Sequence, residues 1–243
     1  RIKRCEDLMS PEIKSLMNLS LNEKVKKSKE IIKEAIERFP NIGIGFSGGS
    51  DSLVLLHIVL QIKKIPVVFI DTQHEFLETY QFMEKIRREW KIPQFIKVMS
   101  DENRFEEFKN NFGLKTPEFT TTCCDYHKIK PMIKVIKDFK FDAFLVALRG
   151  VEHEERAKEV FFSPRQNPIH FRIHPFLFWR SEDIMDYIDE NNIECNPIYE
   201  QGYTSLGCIH CTEKNLDLNA HERAGRGTTR ERLMRNLREL GYT

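Results

Sequence analysis

IGIGFSGGSDSLVLLHI, from Ile42 to Ile58, reads as a strand, a glycine turn and a helix in succession. Ile42-Gly43-Ile44-Gly45-Phe46 has the apolar run of a buried strand, Ser47 to Ser52 breaks it, and an apolar helix is expected from Leu53 to Ile62. A strand that turns through glycine into a helix aims backbone N–H groups and the helix N-terminus at an anion. Gly48 and Gly49 permit positive φ and close backbone approach, while Ser47, Ser50 and Ser52 add hydroxyl donors. The pattern differs from G-x-x-x-x-G-K-[ST], so this is not a Walker loop.

Downstream, the same alternation repeats. Strands are expected over Pro66–Asp71, Gln94–Met99, Ala143–Leu148 and Ile169–Phe176, with helices over Phe76–Trp90 and Glu102–Asn111 and a charged helical turn over Glu152–Lys158. A further helix is expected to be capped by Ser181, with Ile184, Tyr187 and Ile188 inward. Alternating strands and helices with short links predict an α/β fold, a doubly wound and mostly parallel sheet flanked by helices. In such sheets ligands sit at the carboxyl ends of strands, which directs Asp71 and Thr72 at a nucleotide.

Upstream, Ser20 and Glu23 form an S-x-x-E capping box, and Ile31, Ile32, Ala35, Ile36 and Phe39 share one helical face. Lys24, Lys26, Lys27 and Lys29 read as its solvated face. Residues 1–19 read as short helices or a partner-facing arm. The chain therefore divides into an N-terminal helical segment (1–40), a nucleotide-binding α/β domain (41–206) and a C-terminal Cys/Arg-rich arm (207–243).

A hydrophobic share of 40% in 243 residues supports a real core, and a net charge of +1 neither demands nor excludes a nucleic-acid partner. No apolar run approaches a membrane span and no signal-peptide pattern opens the sequence, so a cytoplasmic protein is expected. Six cysteines in a chain of this length are not a secreted disulfide scaffold. Cys5 and Cys195 stand alone, whereas Cys123-Cys124 and Cys208-Ile209-His210-Cys211 form two pairs. Two such pairs can make a four-thiolate cage, which suits either zinc or an iron–sulfur cluster. Adjacent cysteines point different ways in a regular element, so both serve one site only if it is compact and multinuclear or the backbone is strained. Near the C-terminus Arg223, Arg226, Arg230, Arg232, Arg235 and Arg238 follow one another. Beside Gly225, Arg223 and Arg226 are assigned to phosphate, and Arg232, Arg235 and Arg238 equally suit a solvated helix face.

SGGSDS at residues 47–52 resembles the pyrophosphate loop of the adenine-nucleotide α-hydrolase superfamily. Four further segments resemble assimilatory adenylylsulfate (APS) reductases, in the right order: CCDYHKIKPM from Cys123, LRGVEHEERA from Leu148, NPIYEQGYTSLGCIHCT from Asn196 and HERAGR from His221. The resemblance implies a [4Fe-4S] cluster on Cys123, Cys124, Cys208 and Cys211, with Lys128 in the place of the family lysine between cluster and substrate. It implies that Arg149, Arg156, Arg223 and Arg226 converge on a phosphate or sulfate. His127 stands where the family has arginine.

Two departures redirect the expected chemistry. The reductases end in E-C-G-L-H, whose cysteine attacks the sulfate sulfur; here Leu240 occupies that slot in Arg238-Glu239-Leu240-Gly241. The reductases also carry a degenerate loop, whereas this chain keeps the full S-G-G-x-D-S pattern, which suits ATP. The leading expectation is therefore a cluster-containing ATP pyrophosphatase. Ser47, Gly48, Gly49, Ser50, Asp51 and Ser52 would hold the pyrophosphate with Mg²⁺, and Asp51, Lys128 and Arg149 would be catalytic. This looks like the pyrophosphatase component of DNA phosphorothioation systems, with a cysteine desulfurase as sulfur donor, DNA as a partner and possible homo-oligomers. The alternatives are a true APS or PAPS reductase using an external thiol, a subunit of an ATP sulfurylase, and a non-catalytic nucleotide-binding scaffold.

Overall fold

The computed structural model describes residues 2–215, 217 and 222–241. Its single sheet has the strand order β3-β2-β1-β4-β6-β5, where β1 is Ile42–Gly45, β2 Val67–Ile70, β3 Phe95–Val98, β4 Ala143–Leu145, β5 Phe162–Gln166 and β6 Ile169–Ile173. β1 pairs in parallel with β2 (Ile44 opposite Val67) and with β4 (Gly43 opposite Phe144), and β4 pairs in parallel with β6. The doubly wound α/β reading therefore stands. Among the described residues, no helix is long and apolar enough to cross a membrane.

The chain forms two compact units that do not follow the three sequence segments. The first comprises Arg1–Phe46, Ser50–Val68 and Lys140–Cys195, and the second Ser47–Gly49, Phe69–Phe139 and Asn196–Thr243. Compactness is set by side-chain packing, so residues distant in sequence share a unit and the N-terminal helices join the first one.

In the first unit, α1 (Ile2–Leu8) and α2 (Pro11–Leu16) bury Cys5, Met9, Ile13 and Met17. α3 (Leu21–Arg38) opens with the expected reciprocal cap: Ser20 N donates to Glu23 Oε2 (2.9 Å) and Glu23 N to Ser20 Oγ (3.4 Å). Ile31, Ile32, Ala35 and Phe39 are buried as the spacing requires. Lys24 departs from the solvated-face reading. It is buried and its ammonium lies 2.6 Å from Asp183 Oδ2, because a long stem can follow the apolar face to a carboxylate. α4 (Ser50–Leu60) is apolar all round, with Leu53 to Leu56, Ile58 and Val59 buried, as a helix covered on every side must be.

The charged turn forms a short helix, α9 (Glu154–Ala157), and Ser181 is the first residue of α10 (Ser181–Glu190) rather than its cap. Arg180 occupies the cap position, and its N–H donates to Asp183 Oδ2 (2.6 Å). β5 was not legible as a strand. It pairs antiparallel with β6, from Phe162 opposite Ile173 to Gln166 opposite Ile169, and its Ser-Pro-Arg-Gln run suits only a sheet edge.

In the second unit, α5 (Leu77–Glu89) buries Thr79, Phe82, Met83 and Ile86. α6 (Phe105–Phe112) and α7 (Pro117–Cys124) follow, and α7 runs through a π-helical turn, Asp125–Ile129, into α8 (Lys130–Asp138). Such turns mostly mark functional positions inside helices. Two short helices, α11 (Thr228–Arg232) and α12 (Met234–Glu239), close the unit, the second burying Met234 and Leu237 against Ile129 and Cys124.

Candidate nucleotide and cysteine sites

Three expected site segments follow the carboxyl ends of adjacent strands: the glycine loop after β1, Asp71 after β2 and Arg149 after β4. In the loop, Gly48 has φ of 78°, a conformation that a side chain would strain. Its carbonyl accepts from Asn196 Nδ2 (3.4 Å), which also donates to Thr79 Oγ1 (3.1 Å). Asn196 thus clamps the loop, a role that its place before Pro197 did not signal. Ser47 is exposed, Gly49, Ser50 and Asp51 are half-buried, and α4 begins at Ser50.

In the first unit the acids and arginines form a knot. Arg149 Nε donates to Asp51 Oδ1 (2.9 Å), its Nη2 to Asp51 Oδ2 (3.4 Å) and its Nη1 to Ser181 Oγ (3.1 Å). Glu152, also buried, accepts from the Arg149 backbone N–H (3.1 Å) and from Arg156 Nη1 (2.5 Å). Asp51 therefore orients Arg149, and Glu152 joins Arg149 to Arg156. Arg156 Nε is buried without an acceptor among the described residues. A buried donor of this kind is uncommon, which marks where a bound anion could be received.

In the second unit Asp71 is buried and committed to protein partners. It accepts from Tyr80 Oη (2.7 Å) and Gln73 N (2.7 Å) and pairs with Lys97 Nζ (2.7 Å). Burial first and the hydrogen bond to Asp71 second push the Tyr80 phenol well up. Thr72 donates to Glu75 Oε1 (2.6 Å) and lines the cavity that holds the cysteines.

That open cavity, about 490 Å³, is walled by all four paired cysteines together with Thr72, His74, Phe105, His127, Lys128, His210 and Arg230. The adjacent cysteines do diverge. Cys123 packs on the Phe105, Phe108 and Phe119 cluster, and Cys124 on Ile129, Met234 and Leu237. Both still reach one cavity because they end α7, where the π turn begins. All four cysteines are free thiols. Among the described residues, no three or more Cys, His, Asp or Glu side chains converge as a site for a metal ion. The thiols ring a space instead of a point.

Burial, then the neighbouring thiols, push Cys123 up to about 12. Cys124 is also raised, by burial. Cys208 is raised by its hydrogen bond with Cys211 and by burial, while the same hydrogen bond lowers Cys211. The positive charge of Arg230 pulls all four downward. Sequence reading left Arg230 without a role, although its position after two threonines and a glycine gave no contrary signal. His127 donates or accepts at Nδ1 with Ser100 Oγ (2.8 Å), and burial, then His74, hold it down to about 4.

The two arm arginines differ. Arg223 is taken up by Glu231, with Nη2 2.7 Å from Oε1 and Nε 3.2 Å from Oε2. Arg226 lies buried over Gly207, where an added Cβ would stand 2.1 Å from Nη1, so only glycine leaves room for this guanidinium. Its Nη1 donates to Thr212 Oγ1 (3.4 Å), and its Nε is buried without a protein acceptor. Leu240, in the slot of the family cysteine, caps α12 and is 42% exposed. His221, which opens the HERAGR segment, and Tyr242 and Thr243 of the tail lie outside the described residues.

Residues 41–214 match the phosphoadenosine phosphosulfate reductase domain. A Staphylococcus epidermidis protein named adenosine 5'-phosphosulfate reductase is 32% identical over 86% of this chain and 85% of its own length. A Photorhabdus laumondii phosphoadenosine 5'-phosphosulfate reductase is 28% identical over 82% of each. In fold, the chain is similar to the phosphate complex of PAPS reductase from Candida auris, with a TM-score of 0.64 and 24% identity over 83% of this chain and 97% of that one. These relatives overturn the reading as an ATP-cleaving enzyme of DNA phosphorothioation, since proteins matching most of the chain are named for reduction of sulfated nucleotides. The grounds for expecting DNA and a desulfurase as partners go with that reading. An intact SGGSDS loop and a leucine at position 240 are local features, and they weigh less than similarity along the whole length. The chain belongs to the phosphoadenosine phosphosulfate reductase family.

Proposed function

We propose that this protein reduces the sulfate of an adenylyl sulfate, APS or PAPS, and releases sulfite using an external thiol. The observation that carries the reading is the 32% identity to the Staphylococcus epidermidis reductase over most of both chains. An external thiolate attacks the sulfate sulfur, the bond from sulfur to the bridging phosphate oxygen breaks, and the nucleotide monophosphate leaves with the electron pair. A second thiol then attacks the thiosulfonate sulfur of the first, so that sulfite departs and a disulfide remains. The attacking thiol is external because Leu240 has no nucleophilic atom.

The residues of the chain bind and orient. Backbone N–H groups around Gly48 and Gly49 and the start of α4 receive phosphate oxygens. Arg156 in the first unit and Arg226 in the second each carry a buried Nε–H donor with no acceptor among the described residues, and charge-assisted hydrogen bonds are the natural use of such a group. Asp51 and Glu152 hold Arg149 and Arg156 in place.

Four thiols around a space, with Lys128 and Arg230 in the wall, fit a [4Fe-4S] cluster better than a single ion. When bound, such a cluster supplies redox-active iron and a net negative charge. Cys123, Cys124, Cys208 and Cys211 would hold it.

The test offers anaerobically purified protein APS, PAPS and ATP in turn, with a dithiol donor, and measures sulfite and pyrophosphate. Sulfite from APS or PAPS is expected; its absence with both nucleotides removes the proposal. The second reading, a binding protein without turnover, is favoured by Leu240 alone. Tight binding of APS with no sulfite from any thiol would establish it.

A further inference from the structure

We propose that Arg230 is the charge-compensating residue of the four-cysteine cavity, required to retain the iron–sulfur cluster that the thiolates bind. This rests on the cluster assignment above. Arg230 is only 2% exposed, and it lines the cavity together with Cys123, Cys124, Cys208 and Cys211. Among the described residues of that wall, the cysteines are the only groups that can become anions. Burying a guanidinium is costly without a counter-charge, and here the wall offers thiolate sulfur.

The fold delivers this side chain deliberately. The chain just before it is stitched to the C-x-x-C segment: Thr212 and Arg226 form an antiparallel bridge, Glu213 N donates to Gly225 O (2.7 Å) and Gly227 N to Cys211 O (3.2 Å). Thr229 Oγ1 donates to Lys115 O (2.9 Å), which pins the start of α11 from the other side. The arm's path thus fixes Arg230 relative to Cys211, while Arg232 and Arg235 on the same arm are exposed.

Neutralising a ligand set from outside its own bonds is what outer-shell groups do, and their removal costs about 10–100-fold in metal affinity. The experiment compares Arg230→Gln, Arg230→Lys and Arg232→Gln with the wild type, all purified anaerobically. Iron and sulfide content, iron loss to a chelator and the cluster's midpoint potential are measured, with far-UV circular dichroism as the folding control. Arg230→Gln is expected to lose iron about 10–100-fold faster and to shift the potential negative, since a lost positive charge disfavours the reduced form. Arg230→Lys should stay near the wild type, and Arg232→Gln should match it.

An Arg230→Gln protein that folds and holds iron like the wild type overturns the inference and leaves the cluster assignment standing. A wild type free of iron and sulfide overturns both. Should Arg230→Gln fail to fold, Arg230→Lys decides. Iron loss within about tenfold of wild type supports charge compensation, and faster loss overturns it.

Discussion

The arginine knot of the first unit and the cysteine cavity of the second use buried cations in opposite ways. Arg149 donates to carboxylates and a hydroxyl: Asp51, Ser181 and, through the backbone, Glu152. Around the cysteines, no Asp or Glu lines the described wall, and Lys128 and Arg230 face thiols instead. A guanidinium held by carboxylates is an oriented, rigid group whose charge is already balanced. A guanidinium beside thiols gains anionic neighbours when they ionise, as metal binding requires. The first arrangement suits positioning, and the second suits holding an anionic cofactor.

The sharpest way to break this contrast is to remove a thiol. Cys208→Ser should reduce iron and sulfide to background and abolish sulfite release, whereas Cys195→Ser, at a site outside the cavity, should change neither; metal analysis beside the activity assay decides. Next comes the knot. Glu152→Gln leaves the Arg156 guanidinium without its carboxylate, and should cost about 3–5 kcal/mol. That corresponds to a melting temperature lower by roughly 6–20 °C, measurable by calorimetry. An unchanged melting temperature would mean that the knot contributes nothing to stability.

A third effect belongs to the hairpin of the first unit. Burial holds His170 down to about 4. Its Nε2 accepts from Arg172 Nε (2.9 Å) and its Nδ1 donates to Pro168 O (2.7 Å), a pattern only the neutral ring satisfies. The unfolded chain takes up this proton near pH 6.5, while the folded chain resists it until about pH 4. The contribution is therefore fully present above pH 6.5, falls as the pH drops through that window, and is lost below about pH 4. Urea titrations across this range should show the slope in the wild type and a flatter one in His170→Gln.

The smallest expected effect separates the two arm arginines. Arg226→Gln should weaken nucleotide binding by about 2 kcal/mol, the scale of a charged hydrogen bond. Arg223→Gln should weaken it less, because Glu231 already occupies that guanidinium. Calorimetric titration with APS would reverse the assignment if Arg223→Gln proved the more damaging.

The glycine turn was legible because its geometry is local. Strand, Gly48 at positive φ and helix start occupy consecutive residues, and the four cysteines announced themselves by pairing. The capping box at Ser20 and Glu23 was legible for the same reason. β5 was hidden by a polar, proline-containing run that only an edge position accommodates, and Lys24 was misplaced because its partner, Asp183, lies far along the chain. The function was misread where two local departures, the intact loop and Leu240, were allowed to outweigh similarity spread over the whole length.

Residue order by itself determined the α/β class, the glycine turn and the pairing of the cysteines, since each rests on periodicity or spacing within a short window. Only the tertiary structure decided which charges meet. Asp51 binds Arg149, Glu231 takes Arg223, and Arg230 rather than its exposed neighbours faces the cysteines. Electrostatic partnership depends on distance in space and on burial, and neither can be read from separation along the chain.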